Sequence, residues 1–155
     1  MKRNPANDKV RTMMGRGRLA RDGFLGDDMR PLDEIVAADD AALAAAGVSR
    51  ADLADLLDEL HAAADAALET PRDLYDGKVQ VQLTEVMGRI SCPFGCGSRS
   101  HKAAIQVRAG ELAFVFTPLH AHLIREHGFF QGKGSWFRLE PAELIALYRR
   151  SRGGE

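Results

Sequence analysis

Two short pairs of side chains constrain this chain more than any other feature: Cys92-Pro93-Phe94-Gly95-Cys96 and, further on, His122-Leu123-Ile124-Arg125-Glu126-His127. Thiolates and imidazoles in C-x3-C and H-x4-H spacings can close around one tetrahedral ion, and this donor set matches structural zinc chemistry. The segments that carry the two pairs must then meet in space, whatever the intervening chain does. His120 and His101 are alternative ligands, the first on another side of the same helical segment and the second five residues beyond Cys96. Four protein ligands leave no coordination position for water, which favours a structural ion over a hydrolytic one. Only two cysteines occur, and in a reducing compartment such a close pair is a metal clamp sooner than a disulfide. The usual redox spacing C-x-x-C is absent.

At 155 residues the chain reads as one domain, large enough to bury about 70% of the surface its unfolded form exposes. Apolar residues at 45% and charged residues at 28% place it among soluble globular proteins. The opening Met1-Lys2-Arg3-Asn4-Pro5 has no apolar run behind it, and no later stretch is long and apolar enough to span a bilayer. No membrane association and a cytoplasmic location are therefore expected. The net charge of −1 hides a strong asymmetry: residues 1–30 carry eight Lys/Arg against four acids, residues 31–76 two against twelve, and residues 77–155 eleven against six. Such blocks either attract different partners or neutralise each other within the molecule or an oligomer.

Residues 1–30 show no sustained helical or strand period and read as a basic arm containing Arg16 and Arg18. Phe24 and Leu25, between Gly23 and Gly26, are apolar anchors that dock either on the chain itself or on a partner. Pro31 suits the first turn of a helix that Gly47 ends, and Asp33 and Glu34 complement its dipole. Asp39 falls within the apolar stripe of that helix and demands a partner, for which an arginine of the arm is expected. Ser49 and Asp52 form a capping-box start for a second helix, with Leu53, Leu56, Leu57, Leu60 and Ala64 on one face. Residues 31–70 thus read as an acidic helical hairpin whose stripes pack on a sheet or form a seam with another protein or a second copy.

After Thr70-Pro71 the period changes. Val79, Val81 and Leu83 alternate with polar residues as a half-exposed strand, Gly88 offers a turn before the cysteine knuckle, and residues 104–107 and 112–116 form a hairpin about 108–111. Leu112, Phe114 and Phe116 are the expected core of that hairpin. Thr117-Pro118 starts a helix that Gly128 ends just after His127, and Pro141 opens a final helix. The expected fold is α+β: the N-terminal helical hairpin, then a small antiparallel sheet with a zinc-stabilised ββα-like module, then a C-terminal helix. Residues 77–155 form the zinc-binding module, in one compact domain with 31–70.

Residues 90–128, a cysteine knuckle followed by strands and a helix carrying two histidines, resemble a C2H2-type zinc finger. The likeness covers about a quarter of the chain, and the rest is assigned to no family. It implies zinc on Cys92, Cys96, His122 and His127; in that family the helix often enters the DNA major groove. Twenty-five residues separate Cys96 from His122, against about 12 in the family. Metal binding therefore carries over, whereas groove reading by Leu123, Ile124 and Arg125 does not.

The segment 128–137 combines glycines and aromatic residues with Lys133, a composition suited to meeting a phosphate with the cation and a base with Trp136, although aromatic residues there equally plug a core. Arg149 and Arg150 form a basic cluster in the final helix. The leading expectation is a zinc-stabilised binding or regulatory protein with nucleic acid as partner, contacted through Arg16, Arg18, Lys133, Trp136, Arg149 and Arg150. One alternative is a protein-interaction or structural subunit that uses 31–70. Another is a metal-dependent hydrolase with an open zinc site and Asp39, Glu85 or Glu126 as base. No catalytic triad, phosphate loop or dinucleotide fingerprint accompanies the metal motif, so an enzyme is the less favoured reading.

Overall fold

The computed structural model describes residues 23–135 and 137–153; Arg16, Arg18 and Trp136 lie outside them. Pro31 precedes α1 (Leu32–Ala46), Asp33 and Glu34 occupy its first turn, and Gly47, left-handed at φ 70°, ends it. In α2 (Arg50–Ala66) the capping box forms as expected: Ser49 Oγ accepts from the Asp52 backbone N–H, and Asp52 Oδ2 accepts from that of Ser49, each at 3.0 Å. The stripe Leu53, Leu56, Leu57 and Leu60 is fully buried.

Four antiparallel strands follow: β1 (Arg72–Leu74), β2 (Val79–Ser91), β3 (Arg99–Ala109) and β4 (Leu112–Phe116), hydrogen-bonded in that order. Val79, Val81, Leu83, Ile105 and Val107 pack into the same core cluster as the α2 leucines. Gln80, Gln106 and Arg108 alternate with them and stay exposed. The helices α3 (Leu119–His127) and α4 (Pro141–Ser151) complete four helices and one sheet among the described residues. None of these helices is long and apolar enough to cross a membrane.

The order of elements differs from the expected one. β1 lies ahead of the long strand, and β2 does not turn at Gly88 but continues to Ser91. Glu85 pairs with Ala103 and Arg89 with His101, so Val86, Met87 and Gly88 together oppose Lys102 in a bulge, which Gly88 accommodates at φ 103°. The turn between β2 and β3 is the cysteine knuckle itself. It therefore sits at the tip of a long ribbon within a single sheet, not ahead of a separate ββα unit. Phe116 is buried, but Leu112 and Phe114 are only half-buried, because β4 is an edge strand.

A second core cluster lies beside the knuckle, where Phe24, Leu25, Ile35, Leu119, Leu123 and Phe129 gather around Cys92. The Gly-Phe-Leu segment thus docks on its own chain. Its backbone runs against the loop after α3: Gly132 N–H donates to Phe24 O at 2.8 Å and Asp27 N–H to Lys133 O at 3.1 Å. Asp28 accepts from the Lys133 backbone at 3.0 Å, and the Arg30 guanidinium beside it holds its carboxyl well below the usual carboxylate range. Gly26 is left-handed at φ 57°, and a Cβ there would overlap the backbone of Gly134 and Ser135. Gly26→Ala is accordingly expected to cost about 2 kcal/mol or more, through backbone strain and displacement of the loop. The denaturation midpoint reads this, and an unchanged midpoint would contradict the docking of the two segments.

Asp39 is buried in α1 as its place in the stripe requires. Its hydrogen-bonded partner is Arg138, whose guanidinium donates to Asp39 at 2.9 and 3.1 Å with both side chains 7% exposed, while Arg30, the last residue of the expected arm, adds an electrostatic attraction to the carboxylate. This pair ties α1 to the segment entering α4.

Candidate metal centre

Left-handed glycines bend the knuckle. Gly95 at φ 76° and Gly97 at φ 89° let residues 92–98 fold back, closed by Gly95 N–H to Cys92 O at 3.2 Å and Cys92 N–H to Ser98 O at 2.8 Å. Cys92 and Pro93 are buried, Cys92 within the second core cluster, while Cys96 stays exposed. Opposite them, α3 runs up to His127. Gly128, left-handed at φ 61°, ends it there with N–H to Ile124 O at 3.0 Å, and the Phe129 N–H donates to Leu123 O at 3.1 Å.

The two pairs meet. Cys96 Sγ lies 3.1 Å from His122 Nε2 and Cys92 Sγ 3.5 Å from His127 Nε2, and the four ligand atoms all fall within 4.8 Å of one another. A tetrahedral ion with metal–sulfur bonds near 2.3 Å and metal–nitrogen bonds near 2.0 Å needs its ligands roughly 3.3–3.8 Å apart, so small adjustments of the longer separations suffice. The S2N2 donor set could hold a metal ion, and borderline-soft ions suit it best. Phe94, the middle residue of the knuckle, stacks on the His127 ring at 4.0 Å and 8° and meets Phe129 edge-on at 5.6 Å. The imidazole is thereby fixed in orientation from outside the ligand set.

The thiols differ in character. The Ser98 backbone, followed by the His127 imidazole, holds Cys96 down to about 5, whereas burial pushes Cys92 up to about 11. Ser98 and Glu126 line the mouth of the site together with Cys96, His122 and His127.

The alternative ligands lie elsewhere. His120 is fully buried; its Nδ1 accepts from the Thr117 N–H at 2.9 Å, which leaves the ring proton on Nε2 to donate to Phe137 O at 2.7 Å. Burial lowers its pKa to about 4, so it is a neutral core residue fastening the loop after α3. The His101 ring faces His61 at 5.7 Å. His61 Nε2 is buried with no hydrogen-bond partner among the described residues, and burial, then His101, lowers its pKa.

The helix that carries the histidines is in no position to enter a groove. Leu123 and Ile124 are fully buried, and Arg125 binds Asp55 at 2.7 Å and Asp58 at 2.9 Å on α2. The segment is compatible with a zinc finger in its ligands and loosely in its outline. Lys133, Arg149 and Arg150 occupy three separate neighbourhoods: Lys133 is exposed beside Asp28, Arg149 donates to Ala46 O at 3.2 Å, and the Arg150 guanidinium lies over Gly110. Among the candidate bases, Asp39 is taken by Arg138, Glu85 is exposed at the ribbon bulge, and Glu126 lines the metal mouth.

Sequence reasoning missed the cations of the ribbon. Arg89, Arg99, Lys102 and Arg108 make no ion pair among the described residues, and Glu85 is the one acid between 79 and 109. Charge counted by strand rather than over the whole segment 77–155 exposes them. Comparison with protein-family models, curated proteins and solved structures finds no match to the chain.

Proposed function

We propose that this is a zinc-stabilised binding protein whose partner is nucleic acid. The observation that carries the zinc reading is the gathering of Cys92, Cys96, His122 and His127, with their four ligand atoms within 4.8 Å. Zinc there clamps the tip of the β2–β3 ribbon to the end of α3 and holds the second core cluster closed. All four positions are filled by protein, which favours a structural ion over a hydrolytic one. Glu126 at the mouth is the one feature favouring an open, water-carrying site instead. Visible spectroscopy of the cobalt-substituted chain separates these readings, since a closed S2N2 tetrahedron keeps its spectrum when small anions are added.

The nucleic-acid reading draws more support from the ribbon than from Lys133, Arg149 and Arg150, which stand apart from one another. Arg89 and Arg99 lie on one face of the β2–β3 ribbon and Lys102 and Arg108 on the other, with Glu85 the single acid of the two strands; Arg108 sits in the four-stranded part, beside the exposed amides of Gln80 and Gln106. Lys133, Arg149 and Arg150, with Arg16, Arg18 and Trp136, add contacts if the chain wraps its ligand. Four phosphate contacts from the ribbon set a log–log slope of affinity against salt of about −3 on single strands. Fluorescence anisotropy with a labelled oligonucleotide, across salt concentrations, measures it. Replacing Arg99 and Arg108 by alanine is expected to reduce the slope by about half. Salt-independent binding, or none, contradicts this partner class and leaves a protein partner as the better reading.

A further inference from the structure

We infer that Cys92 and Cys96 form an oxidation-sensitive latch, in which a peroxide converts the pair to a disulfide and so frees the metal and the ribbon tip. This rests on the metal-site reading above. Two features of the geometry lead to it. The sulfurs are unequal in access: Cys96 is exposed at the mouth, and Cys92 is 4% exposed beneath it. They are also near neighbours, within 4.8 Å, on a loop whose left-handed Gly95 lies between them. Closing that gap to the ~2 Å of a disulfide is a local movement of the knuckle. No other cysteine exists in the chain to compete.

The chemistry balances with hydrogen peroxide as the oxidant. The Cys96 thiolate attacks one peroxide oxygen, the O–O bond breaks, and Cys96 becomes a sulfenic acid as hydroxide departs. The Cys92 sulfur then attacks the sulfenic sulfur. In the zinc-loaded chain both sulfurs are thiolates, so the S–O bond breaks, the S–S bond forms and the hydroxyl leaves as hydroxide. Two thiolates have lost two electrons, and one peroxide has been reduced to two hydroxides.

Two of the four ligands are consumed by that bond, and His122 and His127 alone make a weak site. Cys92 and Phe94 are also the knuckle's contribution to the second core cluster, through which the ribbon tip meets Phe129 and His127. Loss of the metal therefore loosens an apolar contact as well as a coordination shell, and reduction with zinc present restores both.

The test treats the zinc-loaded full chain with graded hydrogen peroxide beside a colorimetric zinc chelator, with peptide mass mapping of both cysteines. The expected result is one zinc released for each Cys92–Cys96 disulfide formed, reversed by dithiothreitol and added zinc. A sulfenic-acid trap is expected to label Cys96 in Cys92→Ser at least tenfold faster than Cys92 in Cys96→Ser, whether or not either variant keeps its metal. Zinc retained with both thiols intact, at peroxide levels that oxidise free glutathione fully, overturns the latch. So does release with sulfinic acid and no disulfide. Metal analysis before the oxidant is added keeps the two claims apart: a zinc-free chain sinks the metal-site reading, whereas a zinc-loaded chain that forms no disulfide sinks the latch alone.

Discussion

Cys92→Ser is expected to lose the metal and to open the ribbon tip while leaving the main core folded. Serine is a poor ligand for a borderline-soft ion, and Cys92 is also the ligand that belongs to a packed cluster. The main cluster of α2 leucines, sheet residues and α4 contains none of the four ligands, so it retains its own packing without metal. Binding linkage gives about 4 kcal/mol of stabilisation when free zinc exceeds its dissociation constant a thousandfold. That contribution disappears in the variant. Hydrogen exchange should show lost protection across residues 89–99 and the end of α3, with the amides of α2 and of β3 at 103–109 still protected. Chelation should produce the same pattern in the unaltered chain and nothing more in Cys92→Ser. Global unfolding in both cases would mean that the two clusters are not separable; no change in either would mean that the site holds no structural ion.

Arg138→Leu should be the most damaging single substitution away from the metal site. The guanidinium is 7% exposed and donates to Asp39, to Glu140 at 2.8 Å and to Gln131 O at 2.6 Å. Removing it leaves the Asp39 carboxylate buried without its hydrogen-bonded counter-charge and with Arg30 as a neighbouring cation, at a cost of about 3 kcal/mol. The pair itself contributes far less net stability, because burying two charges offsets most of their attraction. Asp39→Leu with Arg138→Leu is therefore expected to recover most of the loss, and a denaturant double-mutant cycle measures how much. If the single variant costs less than about 1 kcal/mol, the carboxylate is not as desolvated as its burial implies.

Local signals were legible where the physics is local. The α2 capping box, the glycine ends of α1 and α3 and the alternation of Val79, Val81 and Leu83 are all set by near neighbours in the chain. The meeting of the cysteine and histidine pairs was legible because ligand chemistry demands it over any distance. Partners set by tertiary packing were not. Nothing near Asp39 in the sequence points to Arg138, and nothing in Phe24-Leu25 shows that the segment closes over the loop after α3 instead of a second molecule. Gly88 suits a turn, yet a β-bulge and a turn ask the same thing of a glycine, and strand pairing decides between them. The edge position of β4 likewise follows from strand order, which no residue of Leu112–Phe116 encodes.

The central claim is tested most directly by the metal content of the untagged chain purified without added metal, alongside Cys92→Ser and His127→Ala. About one zinc per chain, lost in both variants, is the result that a Cys92, Cys96, His122 and His127 site requires. A metal-free chain that is nonetheless fully folded, with its ribbon tip protected from exchange, would contradict it.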